Sequence, residues 1–130
     1  HGYDEVQNVL SCLDAENRYL TTPSSVDFYP MQGSIEDHAS NLPLAVTKCR
    51  QMVDNLRYLV GMEALFASQA VDLRKSDDNG DYIHLGKGTQ KAYDVLRAVV
   101  PEMKSNRSVY DDINKAYQLV LEEKFLADGE

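Results

Sequence analysis

The sequence has no run of Lys and Arg residues, and its 13 basic side chains are outnumbered by 21 acidic ones. The formal net charge is −8 at pH 7. Proteins that bind nucleic acids or anionic membranes need clustered cations to displace counterions. The charge balance therefore argues against both kinds of partner and indicates an acidic soluble protein.

Long apolar runs are also absent. No uninterrupted apolar segment approaches the ~20 residues that a membrane-spanning helix requires, and no basic leader precedes an apolar block at the N-terminus. We therefore expect no membrane partner and a cytoplasmic location. The chain begins with His1 rather than Met, which we interpret as the start of a fragment or of a processed protein.

Cysteine is scarce, and no cluster of metal ligands is evident. Cys12 and Cys49 lack the spacing of a metal site, and each falls within an apolar helical pattern. We expect buried free thiols in a reducing compartment rather than a disulfide. His84 stands alone in an acidic stretch, so no second histidine-rich element supports a metal site, and we expect none.

Apolar residues recur at helical spacing along most of the chain, and strand-like alternation is absent. The expected helices cover residues about 3–20, 41–75, 89–100 and 109–126. Pro23 ends the first of them because proline cannot continue a helix. We predict an all-α fold in which residues 1–130 form a single bundle of long helices.

The second expected helix is longer than a compact domain of this size. About 32 residues at ~1.5 Å rise give a length of about 48 Å, whereas a compact chain of this length is about 36 Å across. The helix carries a main apolar seam and a second stripe beside it. The seam comprises Ala45, Cys49, Met52, Leu56, Leu59, Glu63, Phe66, Ala70 and Leu73, and the stripe comprises Leu42, Val46, Val53, Leu56, Val60, Ala67 and Ala70. We infer that the chain is a piece of an oligomer or of a longer polypeptide.

Glu63 lies on the apolar seam itself and is the only charged residue between Arg57 and Asp72. A carboxylate in such surroundings needs a partner to offset its burial. We interpret Glu63 as a buried structural carboxylate with a partner across the bundle rather than as a catalyst.

The connection 21–40 holds more polar functional groups than a loop of its length needs. Glu36, Asp37 and His38 occupy consecutive positions just before the long helix. From the residues alone, three roles stay open: a solvated or helix-capping cluster, general acid and base groups, or half of a metal site. Asn17 lies on the apolar stripe of the first helix. It is open between a surface-facing helix end, a cap of a neighbouring backbone and a role near a site.

Several motifs occur in series along most of the chain. They are Ala15-Glu-Asn-Arg-Tyr-Leu20, Pro23-Ser-Ser-Val-Asp27, Ile35-Glu-Asp-His-Ala-Ser40, Glu63-Ala-Leu with Gln69-Ala-Val-Asp-Leu-Arg74, and Gly86-Lys-Gly-Thr89. In this order they resemble the C-terminal part of the histidine ammonia-lyases, a branch of the aromatic amino acid lyase family. Each motif alone is weak, but the ordered series is specific.

The resemblance implies a cytoplasmic homotetramer of long helices whose active sites are each built from several subunits. It implies elimination of ammonia from a small amino acid substrate, histidine giving urocanate, with an electrophilic methylidene-imidazolone formed from an internal Ala-Ser-Gly. The sequence contains no Ala-Ser-Gly. We therefore expect this group and the catalytic tyrosine to lie upstream of His1, and the present chain to be inactive alone.

By resemblance, Glu36 is the catalytic residue of this segment, engaging the substrate amino group or shuttling a proton, and Asp37 and His38 position the loop. Ile35 departs from the Gln typical of histidine lyases. Tyrosine or phenylalanine ammonia-lyase, or an aminomutase of the same family, therefore stays possible. A non-enzymatic helical module that binds a partner through the long helix is the alternative from a different class.

Overall fold

The computed structural model describes residues 2–25, 30–38, 40–77 and 83–126. Its α-helices are α1 (Val6–Leu20), α2 (Leu42–Asp77), α3 (Lys87–Arg97) and α4 (Tyr110–Leu121), with a short 3-10 turn at Gln32–Ser34. Within these ranges there is no β-strand, and Met31 and Asp37 form an isolated bridge. The predicted all-α fold is confirmed.

Helix α2 is the axis of the structure. Its 36 residues correspond to a length of about 54 Å, and the other three helices pack against it. The buried apolar residues are Tyr3, Val6, Met62, Leu65, Leu96, Val100, Met103, Ile113 and Ala116. The core is therefore built around the second half of α2.

Helix α2 lies close to the backbone of α4 at Gly61. A Cβ atom added there would lie 3.0 Å from the backbone carbon of Ala116 and 3.0 Å from the backbone nitrogen of Tyr117. Contacts this short leave no room for a side chain at position 61. Glycine is needed at this position because it has no side chain, and not because its backbone is flexible.

Polar side chains fix α1 against α2. Asn55 is only 3% exposed, and its amide nitrogen donates to Glu16 Oε2 at 2.8 Å and to Asn17 Oδ1 at 2.9 Å. Asn17 thus contacts the neighbouring helix. The Asn55 oxygen also accepts a hydrogen bond from Gln51 Nε2 at 3.2 Å, so this buried amide is satisfied by protein partners, as burial of a polar group requires.

A buried ion pair fixes α3 against α2. Arg97 Nη2 lies 2.6 Å from Asp72 Oδ2, although the two groups are not aligned as a hydrogen bond. The Tyr93 hydroxyl donates to the other carboxylate oxygen, Asp72 Oδ1, and Arg97 Nη1 donates to the Val100 carbonyl at 3.1 Å. Burial, and then this hydrogen bond to Asp72, raises the pKa of Tyr93.

The helix ends differ by a few residues from the expected bounds. Helix α3 begins at Lys87 rather than near Thr89, because Gly86 precedes the helix in extended conformation and the Thr89 hydroxyl donates back to the Gly86 carbonyl at 2.9 Å. Helix α4 ends at Leu121 because Glu123 has a positive φ of 56°. The residue types at these two positions do not predict the start of α3 at Lys87 or the positive φ angle of Glu123.

The face of α2 that packs against its own chain is not the predicted apolar seam. The buried face carries Asn55, Met62, Leu65 and Ser68, whereas much of the seam is exposed. The expected burial of Glu63 is therefore wrong within this chain, because Glu63 lies on the exposed face.

The expected burial of the two thiols is also wrong. Cys12 and Cys49 are free and exposed. Cys49 lies on the same seam of α2, and Cys12 lies on the side of α1 that faces away from the core. Their apolar neighbours in the sequence indicated burial, but no part of the chain that the structure describes covers the two thiols.

The second apolar stripe of α2 is exposed along its whole length in this chain, from Leu42 to Ala70. Soluble proteins rarely leave large contiguous apolar patches in water. Within the described residues, no helix combines the length and the apolar content needed to cross a membrane.

Candidate functional site

Glu36 lies in a closed loop between α1 and α2. The Met31 amide donates to the Asp37 carbonyl at 2.7 Å, and the Ser34 and Glu36 amides donate back to the Met31 carbonyl at 3.0 and 3.4 Å. These bonds join the two ends of residues 31–37. Glu36 is held just inside the point of closure.

The backbone of this loop is strained. Gln32, Ser34 and Asp37 have positive φ angles of 52°, 75° and 52°, and Gly33 between the first two has 63°. Residues other than glycine seldom adopt this left-handed region, and each such residue carries a free-energy cost of roughly 1–3 kcal/mol. Outliers of this kind cluster at active sites and ligand clamps.

Side chains of α2 and its N-terminal flank hold the preceding segment. Lys48 Nζ donates to the carbonyl of Thr22 and, at 3.3 Å, to its hydroxyl. Asn41 Nδ2 donates to the Ser24 carbonyl at 2.9 Å, so this side chain links the start of α2 to the segment that follows α1. A cleft of about 350 Å³ lies between these elements, with Ser40 on its wall.

The structure brings two of the three predicted site residues together. His38 Nε2 lies 3.6 Å from Asp37 Oδ1. Among the described residues, no hydrogen bond or ion pair engages the Glu36 carboxylate, and its side chain is exposed. A carboxylate in this state can accept hydrogen bonds from an ammonium group or accept a proton.

The described part of the chain contains no group of three His, Cys, Asp or Glu side chains that could hold a metal ion. The Asp37 and His38 side chains form a pair without a third ligand from these ranges.

Several polar residues that fix the packing around α2 had no assigned role in the sequence. Asn55 joins α1 to α2, and Gln69 exchanges hydrogen bonds of 3.3 and 3.0 Å with the backbone carbonyl and amide of Met103. Asn55, Met62 and Gln69 are seven residues apart and share one helical face. This seven-residue spacing could have indicated a packed polar face, but the apolar seam beside it gave the stronger pattern.

Comparison with known proteins identifies related sequences. A sequence profile of the aromatic amino acid lyase family matches residues 1–98. Histidine ammonia-lyase 1 from Fusobacterium nucleatum is 33% identical over 129 residues, which are 99% of this chain and 24% of that protein. Histidine ammonia-lyase from Alkaliphilus metalliredigens is 34% identical over 129 residues, which are again 99% of this chain and 24% of that protein.

Solved structures show the same relationship. An ergothioneine-degrading enzyme, ergothionase from Treponema denticola, solved with desmethyl-ergothioneine sulfonic acid, is 44% identical with a TM-score of 0.85, covering 97% of this chain and 24% of that one. Histidine ammonia-lyase from Trypanosoma cruzi is 22% identical with a TM-score of 0.85, covering 96% of this chain and 24% of that one. At this identity the likeness supports the fold alone.

The chain spans about a quarter of the length of these relatives, 24% in each case. The family profile covers α1, α2, α3 and the loop that carries Glu36. Because this profile matches residues 1–98, well over half of the chain, the chain belongs to the aromatic amino acid lyase family.

Proposed function

We propose that this chain is the C-terminal segment of a full-length carbon–nitrogen lyase that eliminates an amine from histidine or a histidine derivative and leaves a conjugated acid. The observation that carries the proposal is the Glu36 carboxylate, which a strained, closed loop presents without a partner among the described residues. An exposed carboxylate held in a fixed loop is suited to an incoming cation.

Glu36 acts directly on the substrate. Its carboxylate pairs with the substrate α-ammonium group or accepts the proton that leaves the β-carbon, and exclusion of water would strengthen either role. Asp37 and His38, 3.6 Å apart, position the loop. The Lys48 and Asn41 contacts hold its base against α2.

For a primary amine substrate, we expect the full-length protein to carry a methylidene-imidazolone. The present chain contains no Ala-Ser-Gly, so its residues do not form the group, and we place that sequence and the catalytic tyrosine upstream. The group supplies an electrophile that makes the amine a better leaving group. The residues of this chain bind the ammonium group and hold or move the proton.

We further propose a cytoplasmic homotetramer that serves histidine catabolism, with each active site shared among subunits. The exposed stripe of α2 supports this assembly, because Leu42, Val46 and Val53 are exposed in this chain and would be covered by neighbouring helices. The isolated chain would then be inactive, since it lacks both the electrophile and the rest of the site.

Two observations favour a second substrate, an N-trimethylated histidine such as ergothioneine, whose ring also carries sulfur. Identity is 44% to the ergothionase, against 33% and 34% to two histidine ammonia-lyases, and Ile35 stands where histidine lyases typically have Gln. In this reaction, the β-proton passes to a base, the Cα–N bond breaks, a carbon–carbon double bond forms and trimethylamine leaves. A quaternary nitrogen has no lone pair with which to attack an electrophile, so this substrate does not require the methylidene-imidazolone.

The test is Glu36→Gln in the full-length protein. Loss of the charge should lower kcat/KM by about 100-fold or more, the usual contribution of a positioned proton-transfer group. Thermal stability should stay near that of the wild type, because Glu36 is exposed in this chain. Turnover is followed by ultraviolet absorbance of the conjugated product.

The matched control is Glu122→Gln, which removes the same charge from an exposed position at the end of α4. It should leave kcat/KM within about twofold of the wild type. A Glu36→Gln enzyme as active as this control would remove Glu36 from the mechanism.

A further inference from the structure

Ile35 directly precedes Glu36 and is 88% exposed, the highest exposure of any large apolar side chain that the structure describes. Single exposed isoleucines are ordinary on protein surfaces. Ile35, however, lies inside the loop that the Met31 and Asp37 bridge closes. Its position next to the proposed amine-binding carboxylate makes it a candidate contact for the same ligand.

The backbone lets the two side chains border one ligand. Ile35 has helical φ and ψ angles of −74° and −39°, and successive side chains of a helical turn diverge by about 100°. In an extended segment they would point to opposite faces instead. Ile35 and Glu36 can therefore contact adjacent sides of one cation.

The two side chains suit one kind of cation better than another. A primary ammonium group has three N–H donors and is best satisfied by several hydrogen-bond acceptors. A trimethylammonium group has a positive charge but no donor, and its methyl groups favour apolar surroundings. A carboxylate flanked by isoleucine offers charge and apolar surface, whereas a carboxylate flanked by Gln offers a further acceptor.

Building on the proposed lyase function, we propose that Ile35 is a specificity-determining residue that selects an N-trimethylated α-ammonium group over a primary one. Glu36 supplies the charge that both kinds of substrate need. Ile35 supplies the apolar contact that only the methylated substrate uses, and it offers no acceptor to the N–H donors of the other.

The test compares two substrates that differ only in the methyl groups, histidine and N,N,N-trimethylhistidine, in the full-length protein. The wild type should favour the trimethylated compound in kcat/KM. Ile35→Gln should lower that preference by about tenfold or more, the range that a few methyl contacts contribute to specificity. Ile35→Leu keeps an apolar side chain and should retain the preference.

Leu126→Gln is the matched control, because Leu126 is also exposed and lies outside the region that the family profile matches. It should leave the preference unchanged. If Ile35→Gln turned over neither compound, calorimetric binding of both would supply the same ratio. An unchanged ratio in Ile35→Gln, or an equal loss in Ile35→Leu, would overturn the proposal.

Other outcomes separate this inference from the function on which it rests. A wild-type enzyme that favours histidine would refute the role of Ile35 and leave the lyase function standing. A wild-type enzyme that acts on neither compound, nor on ergothioneine, would refute both.

Discussion

Two Asp–Arg pairs in the chain differ chiefly in their burial. The side chains of Asp72 and Arg97 are 8% and 12% exposed and lie 2.6 Å apart. Those of Asp14 and Arg18 are 58% and 79% exposed and lie 2.9 Å apart on α1. An exposed pair contributes little to stability because water and salt screen it, whereas breaking a buried pair leaves a charge without compensation.

Asp72→Asn should therefore destabilise the chain strongly. The substitution keeps the side-chain shape but leaves the buried Arg97 guanidinium without a counter-charge, and we expect a loss of about 3–5 kcal/mol in the free energy of unfolding. Asp14→Asn, the exposed counterpart, should cost less than about 1 kcal/mol. Urea denaturation of the two variants and the wild type measures both values, and equal losses would contradict the assigned role of burial.

At the same scale, the sequence predicted which residues form the site motif but not how the loop closes. Glu36, Asp37 and His38 were singled out by their motif. The positive φ angles of Gln32 and Ser34 had no sequence signal, because Gly and Asn are the residues that usually mark left-handed backbone. The closure of the loop is thus imposed by its hydrogen bonds and not by local preference.

At the scale of elements, the contact of α2 with α4 depends on one missing side chain. Glycine inside a helix ordinarily lowers stability by roughly 0.5–1 kcal/mol relative to alanine. At Gly61 this preference is reversed, because a Cβ atom would meet the backbone of Ala116 and Tyr117 at 3.0 Å. The packed backbone of α4 can yield only if the two helices move apart.

Gly61→Ala should therefore destabilise the chain by about 1–3 kcal/mol, the usual cost of overpacking. Gly88 is the matched control because it lies in the first turn of α3 with no atom within 4 Å of an added Cβ. Gly88→Ala should have a small stabilising effect of up to about 1 kcal/mol. Thermal unfolding of both variants checks the signs, and stabilisation by both would show that α2 and α4 are not packed closely at Gly61.

The helices themselves were predictable because their periodicity is long and regular, but the buried face of α2 was not. The spacing of apolar residues in a helix reflects every surface that covers the helix, including surfaces of other parts of a longer protein or of other subunits. In this chain Leu56, Phe66 and Leu73 of the predicted seam are exposed, while Asn55 and Ser68 are buried. The buried Asn55 amide is compensated by hydrogen bonds to Glu16 and Asn17, which spacing alone does not reveal.

At the scale of the whole molecule, the chain has the fold of its family but about a quarter of the length of its relatives. Its small core surrounds the second half of α2, and the stripe from Leu42 to Ala70 is left without cover from this chain. This distribution fits our proposal that the remaining helices of the full-length subunit and its neighbours complete both the fold and the site.

The most direct measurement is a comparison of the full-length protein with the isolated chain 1–130, each incubated with histidine, with N,N,N-trimethylhistidine and with ergothioneine. Ultraviolet absorbance detects the conjugated acid, and assays for ammonia and trimethylamine identify the leaving group. We predict that the full-length protein forms the acid together with one of these amines and that the isolated chain forms neither. Sustained turnover by the isolated chain, or none by the intact protein, would contradict the account.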